Sequence, residues 1–147
     1  KAEERLNSAL QQLKKAVHRL EPEGNTDVDS INNLFKQSIY PVDYVQKGIL
    51  SDIQPYQIEL LHAAVKEALT NISKHSVPNR VAACLEGTEN IIKVSIENDG
   101  IKTDLQQRSG QGLRYMRKRV EAVQGSLSNG IIDNVFRIII ILPKNRS

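Results

Sequence analysis

The chain is short of the parts that several protein classes require. It has a single cysteine, Cys84, which rules out a disulfide scaffold or a cysteine-rich metal framework. In "RVAACLE", a strand-like stretch, that residue reads as a buried thiol in a reducing compartment. No apolar run approaches the roughly 18 residues of a membrane span. The longest, "IIIIL" at 138–142, reads as a buried strand. No signal peptide, internal repeat or low-complexity tract is present. The only methionine is Met116, and its position leads us to expect a piece of something longer. A net charge of +3 is too small to argue for nucleic acid. The charge is unevenly spread, however. Between Lys102 and Arg119 six basic residues stand against one acid, Asp104. Such a segment suits an anionic ligand or a solvated basic helix face.

The phosphate-binding signatures with the clearest mechanics are also missing. No G-x-x-x-x-G-K-[ST] occurs, and "GQGLRYM" has Tyr115 where a dinucleotide fingerprint needs its third glycine. What is present is one 147-residue domain, long enough to bury a core. Apolar content of 39% and charged content of 25% fit a globular protein.

The pattern begins with a helix, "KAEERLNSALQQLKKAVHRLEP", whose apolar residues recur every three or four positions up to Pro22. After a break at "EPEGNTD", Thr26 or Asp27 caps a second helix, "DVDSINNLFKQSI". "VDYVQKGIL" reads as a strand. A long helix runs from Pro55 to His75, and Pro78 enforces its exit. "NRVAACLEGTENIIKVSIEN" reads as a β-hairpin and "DGIKTDLQQRSGQG" as a polar loop. "LRYMRKRVEAVQ" is a helix beginning at Leu113 and stopped by Gly125. "SLSNGIIDNVFRIIIILP" is a second hairpin. Hairpins alternating with helices predict a two-layer α/β sandwich, its sheet mixed and largely antiparallel with helices on one face.

The long helix carries more than its core face requires. At about 100° per residue, Leu61, Ala64, Val65, Ala68, Leu69 and Ile72 share a broad apolar face. Lys66, Thr70, Ser73 and His62 lie roughly opposite, and we assign His62 no role. Glu67, Asn71, Lys74 and His75 fall at i, i+4, i+7 and i+8, along the border of the apolar face. Polar groups half out of water are costly unless paired. Either a local ion pair joins Glu67 to Lys74 or His75, or something polar lies above this edge. Two glycine signals follow, "ENDG" at 97–100 and "SGQGL" at 109–113. The second delivers the chain into a helix N-terminus, where unpaired N–H groups favour phosphate. Glycine there permits close approach and positive φ.

In order, the chain shows E-x-x-x-N-x-x-K-H on a helix, N-D-G at a strand end, a polar loop, and G-x-G-L-x-x-M-x-x-R. This series resembles the GHKL (Bergerat-fold) ATP-binding domain shared by sensor histidine kinases, gyrase and MutL. In detail it looks like the kinases of the DesK, DegS and NarX type, with "KEALTNISKHS" and "GQGLRYMRKRVEAVQGSL" as the telling stretches. The resemblance covers residues 55–143 and extends loosely to "AVHRLEP", which looks like the end of a dimerisation helix. It implies a dimerisation stub at 1–22 and an ATP-binding catalytic domain at 23–147.

Residue by residue, the resemblance implies that Asn71 holds the Mg²⁺ bridging the ATP phosphates, while Glu67 orders water or acts as a base. Lys74 and His75 match positions that reach phosphate oxygens. Gly110, Gly112 and Leu113 match the second glycine box, and Gly100 the first. A single amide oxygen beside phosphates suits a small hard cation that keeps several waters. Three departures stand out. Asn98 replaces the Asp that accepts from the adenine amino group, so the acceptor keeps its oxygen and loses its charge. Lys102 stands where the same box has a later glycine, and "DNVF" where Gly-Thr usually precedes the last strand.

The activity implied is transfer of the ATP γ-phosphoryl group to a histidine, for relay to a response regulator of the NarL type. The family's acceptor histidine is followed by an acid, but His18 is followed by Arg19, so the acceptor is expected upstream of Lys1. Met116 and Arg119 read as packing or salt-bridge positions, and Tyr115 as core. The parent is expected to be a homodimer whose cytoplasmic domain joins a membrane-anchored sensor through upstream segments, with no nucleic-acid partner. The alternatives are a free-standing anti-sigma-factor-type serine kinase and a degenerate nucleotide-binding or dimerisation module.

Overall fold

The structure is a computed structural model that describes residues 27–102 and 111–144. The expected helix and domain boundary at 1–22, His18 and Gly110 lie outside the described residues. Three helices and five strands follow in order: α1 (Val28–Lys36), β1 (Val42–Gly48), α2 (Pro55–His75), β2 (Val81–Gly87), β3 (Ile91–Asn98), α3 (Gln111–Ala122), β4 (Ser126–Ile132) and β5 (Val135–Pro143).

The strands form one sheet in the order β1-β2-β3-β5-β4. Only β1 and β2 pair in parallel; the remaining pairs are antiparallel. A parallel pair needs a long crossover, and α2 supplies it. The two hairpins anticipated in the sequence are β2–β3 and β4–β5. The second turns on Asp133 and Asn134, both left-handed with φ of 53° and 63°. That conformation matches the right-handed twist of the flanking strands, and Asn and Asp tolerate it at small cost.

Period-two alternation sets the layers. In β2, β3 and β5 every second residue is buried, and the registers align these residues in rows. Leu85 lies opposite Val94, Val94 opposite Ile140, and Ile140 opposite Leu127. The helices cover this face with Ile31 and Phe35 of α1, Ile58, Leu61, Val65, Ala68 and Ile72 of α2, and Leu113, Met116 and Val120 of α3. Burying each large aliphatic side chain contributes about 1.5–3 kcal/mol.

The opposite face of the sheet carries cross-strand ion pairs. Arg137 holds Glu97 at 2.7 Å, Lys93 reaches Glu86 at 3.8 Å, and Arg80 reaches Asp43 at 3.6 Å. Cys84 sits on this face and is only half-buried. The alternation that sends Ala83 and Leu85 inward sends Cys84 outward, so the expected buried thiol is not found. Tyr115 also departs from its expected place in the core. It is 63% exposed, and the Arg119 guanidinium lies over its ring, 5.9 Å from the centroid. On α3 the inward positions are Leu113, Met116 and Val120, which leaves Tyr115 on the solvent side.

Candidate functional site

The apolar stripe of α2 seats the helix on the sheet as its spacing requires, and so fixes the polar edge. Lys66, Thr70 and Ser73 are exposed, while Glu67, Asn71 and His75 are half-buried and Lys74 is exposed. Among the described residues neither Glu67, Asn71 nor Lys74 has a side-chain hydrogen bond or ion pair. The Glu67–Lys74 ion pair that would have closed this flank on itself is absent. His62, on the other flank, is half-buried rather than fully solvated. Burial first, and the Lys66 charge second, hold its pKa below the ordinary value of 6.5.

Two loops meet this edge. The first glycine signal runs back along the exit of α2. Ser76 forms an isolated bridge with Ile101, Val77 N–H donates to the Gly100 carbonyl at 2.9 Å, and Lys102 N–H donates to the His75 carbonyl at 3.1 Å. Gly100 is left-handed at φ 71°, and a Cβ there would overlap the Val77 carbonyl. Only glycine satisfies both conditions.

The second glycine signal reaches the same edge from α3. The helix starts at Gln111, two residues before the expected start at Leu113. Gly112 therefore lies in the first turn rather than in a preceding loop. It has no positive φ; its requirement is space, because a Cβ would fall on the Glu67 carboxylate. The described start of α3 thus meets the polar edge of α2 at Glu67. The Leu113 side chain is buried in the core, which leaves its backbone N–H as the part that could serve a ligand.

At the end of β3, Asn98 is 2% exposed. Its Nδ2 donates to Ser76 Oγ at 3.0 Å and to the Asp99 carbonyl at 2.8 Å. Its Oδ1 is buried with no hydrogen-bond partner. An orphaned buried acceptor is costly and rare, and a ligand donor would satisfy it. The neighbouring carboxylate is engaged elsewhere: Asp99 Oδ1 accepts from Asn79 N–H at 2.8 Å and Arg80 N–H at 3.0 Å. Asp99 therefore pins the β3 exit to the start of β2. Ser76 and Asp99 escaped the sequence reading, since a serine after a helix and an aspartate in a turn are ordinary.

The donor set suits a nucleotide with a hard cation. Asn71 and Glu67 offer oxygen ligands one helical turn apart, and the described residues hold no cluster of three or more His, Cys, Asp or Glu side chains. A protein-built metal cage is therefore not what these residues form. They match a cation that keeps waters and takes phosphate oxygens.

No protein-family model matches the chain. Over 122 residues, 82% of the chain, it is 25% identical to the sensor histidine kinase YvfT of Bacillus subtilis (strain 168). It spans about a third of that protein's length, 33%. Among solved structures it resembles the nucleotide-free catalytic domain of histidine kinase ThkA. The TM-score is 0.62 at 16% identity, covering 81% of this chain and 92% of that one. It also resembles the histidine kinase domain of a blue-light-activated kinase from Erythrobacter litoralis. There the TM-score is 0.54 at 19% identity, covering 79% of this chain and 60% of that one.

The fold is that of histidine kinase catalytic domains.

Within that fold Glu67 of α2 lies against Gly112 of α3, and the Gly100 loop is bonded to the exit of α2 through Val77 and His75. No helix among the described residues is long and apolar enough to cross a membrane.

Proposed function

We propose that this chain is the ATP-binding catalytic domain of a two-component sensor histidine kinase of the DesK, DegS and NarX type. The observation that carries the reading is the buried Asn98 Oδ1, without a hydrogen-bond partner among the described residues, beside the C-terminal end of the helix whose polar edge meets α3. The adenine amino group is a donor of the kind that acceptor lacks. Asn71 would hold Mg²⁺ with the phosphates, Glu67 standing near it, and that cation would supply charge neutralisation on them. Lys74, His75 and the N–H groups at Gly112 and Leu113 would bind phosphate oxygens, and Gly110 would complete the turn before them.

In the reaction a histidine nitrogen forms a bond to the γ-phosphorus as the bond to the bridging β-oxygen breaks, releasing ADP. The protein's part is positioning and electrostatic stabilisation. Glu67, pressed against Gly112, is placed to order water near the phosphates or to assist as a base. The acceptor histidine lies upstream of Lys1, in a dimerisation helix of a homodimeric, membrane-anchored parent whose cytoplasmic part includes this domain. A response regulator of the NarL type then takes the phosphoryl group.

Titration calorimetry of residues 1–147 with ADP, with and without Mg²⁺, tests the reading. We expect binding in the micromolar range that depends on the cation. No heat and no thermal shift at millimolar nucleotide would favour the degenerate module instead. With radiolabelled ATP the chain alone should take up no acid-labile phosphate, and a protein bearing the upstream helices should become labelled when added. Label on the chain that disappears with His18→Ala would make His18 the acceptor.

A further inference from the structure

We propose that Ser76 is a positioning residue that, with the Asp99 main-chain carbonyl, holds the Asn98 carboxamide with its oxygen as the unpaired end and so makes this position select a 6-amino purine over a 6-oxo purine. The inference rests on the nucleotide-binding reading and adds to it the residue that sets base selectivity.

A carboxamide has a donor end and an acceptor end of nearly equal size, so its orientation decides what it recognises. A carboxylate presents oxygen whichever way it turns; an asparagine must be held. Here both Nδ2 protons have acceptors on the protein, Ser76 Oγ at 3.0 Å and the Asp99 carbonyl at 2.8 Å. Rotating the amide by half a turn would set Oδ1 against that carbonyl. The carbonyl is itself immobilised, because the Asp99 carboxylate accepts from the Asn79 and Arg80 N–H groups and Gly100 is tied to Val77. Ser76 is equally fixed as the C-cap of α2, its N–H donating to the Ile72 carbonyl at 3.0 Å, and it is 1% exposed. With both donors used inward, Oδ1 is the only atom of the amide left for a ligand. It accepts from a 6-amino group and repels a 6-oxo group.

Affinities for ADP and for inosine diphosphate (IDP), which carries oxygen in place of the 6-amino group, test this in residues 1–147 and in Ser76→Ala and Ser76→Thr. The unsubstituted chain should prefer ADP by about tenfold or more, the scale of one hydrogen bond replaced by an oxygen–oxygen contact. Ser76→Ala should reduce that preference several-fold by weakening ADP while leaving IDP unchanged or tighter. Ser76→Thr, which keeps the hydroxyl, should restore it. If ADP binds and the ratio is the same in all three proteins, or if Ser76→Ala weakens both ligands equally, Ser76 is merely structural and the inference is overturned alone. If the unsubstituted chain binds neither nucleotide, the nucleotide-binding reading is overturned and this inference with it. Should Ser76→Ala fail to fold, the ratio in the unsubstituted chain decides, and IDP binding as tightly as ADP overturns the proposal.

Discussion

Helix α2 has buried polar groups at both ends, and the two ends are finished differently. At its N-terminal end Gln57, 1% exposed, accepts from Gln54 N–H at 2.9 Å and donates to the Pro143 carbonyl at 2.6 Å. Beside it the buried Lys144 ammonium donates to the Ile49 carbonyl and to Asp52 Oδ1, both at 2.7 Å. That end is closed, its donors and acceptors answering one another across the β1–α2 loop and the end of β5. At the C-terminal end Asn98 Oδ1 is left without a partner, and Glu67, Asn71 and Lys74 have none among the described residues. A buried polar group that is satisfied holds a fold together, whereas one left open costs stability and waits for a ligand. On the proposed function, the contrast separates a structural device from a binding device on one helix.

The contrast should break most visibly at Gln57. Gln57→Ala removes a buried side chain and its bond to the half-buried Pro143 carbonyl, so unfolding in urea should show a loss of about 1–3 kcal/mol. ADP affinity of the folded fraction should be unchanged. At the open end Asn71→Ala should do the reverse. Its stability should stay within about 0.5 kcal/mol of the parent, while the Mg²⁺-dependent part of nucleotide binding disappears. If Asn71→Ala unfolds the domain, the polar edge of α2 is structural after all.

Asn98→Asp sharpens the comparison, because it inserts the carboxylate that the family resemblance leads one to expect. Sequence alone suggests tighter adenine binding, since a charged acceptor is stronger. The structure reverses that expectation. The Nδ2 position donates to the Asp99 carbonyl at 2.8 Å, and an oxygen there would face an oxygen. We expect ADP binding to weaken and stability to fall by about 1–2 kcal/mol, read by calorimetry and thermal melting.

A smaller effect is expected at Gly112→Ala. The new methyl would meet the far end of the flexible Glu67 side chain, which can move aside, and alanine favours the helix by up to about 1 kcal/mol. Stability should hardly change, whereas Mg-nucleotide affinity should fall about tenfold as Glu67 is displaced. The smallest is a pH effect at the closed end. The hydrogen bond from Lys144 holds the Asp52 carboxyl below its ordinary value of 3.8. A carboxylate with a depressed folded-state pKa contributes stability that is fully present above 3.8 and lost as pH falls through the lower folded value. Asp52→Asn should flatten the acid limb of the stability curve below about pH 4 and leave pH 7 binding alone.

Much of this was legible in advance because it follows from local periodicity. The alternation in "IIKVSIEN" and "VFRIIII" and the three-to-four spacing in "LLHAAVKEAL" decide which face of each element is buried, whatever the element packs against. The boundaries of α2 follow from Pro55 and Pro78 by the same local logic. The polar edge of α2 was legible too, because a helix converts spacing into direction. What sequence could not supply is anything that depends on two segments meeting. Gly112 lies within α3 and passes against the Glu67 carboxylate, a contact between residues far apart in the chain. Tyr115 reads as core from its type and is solvent-facing because α3 turns Met116 inward. Asn98 stands out in the sequence and Ser76 does not, and they are 22 positions apart. Only the packing of α2 against the end of β3 buries both, pairs one end of the amide, and leaves the other without a partner among the described residues.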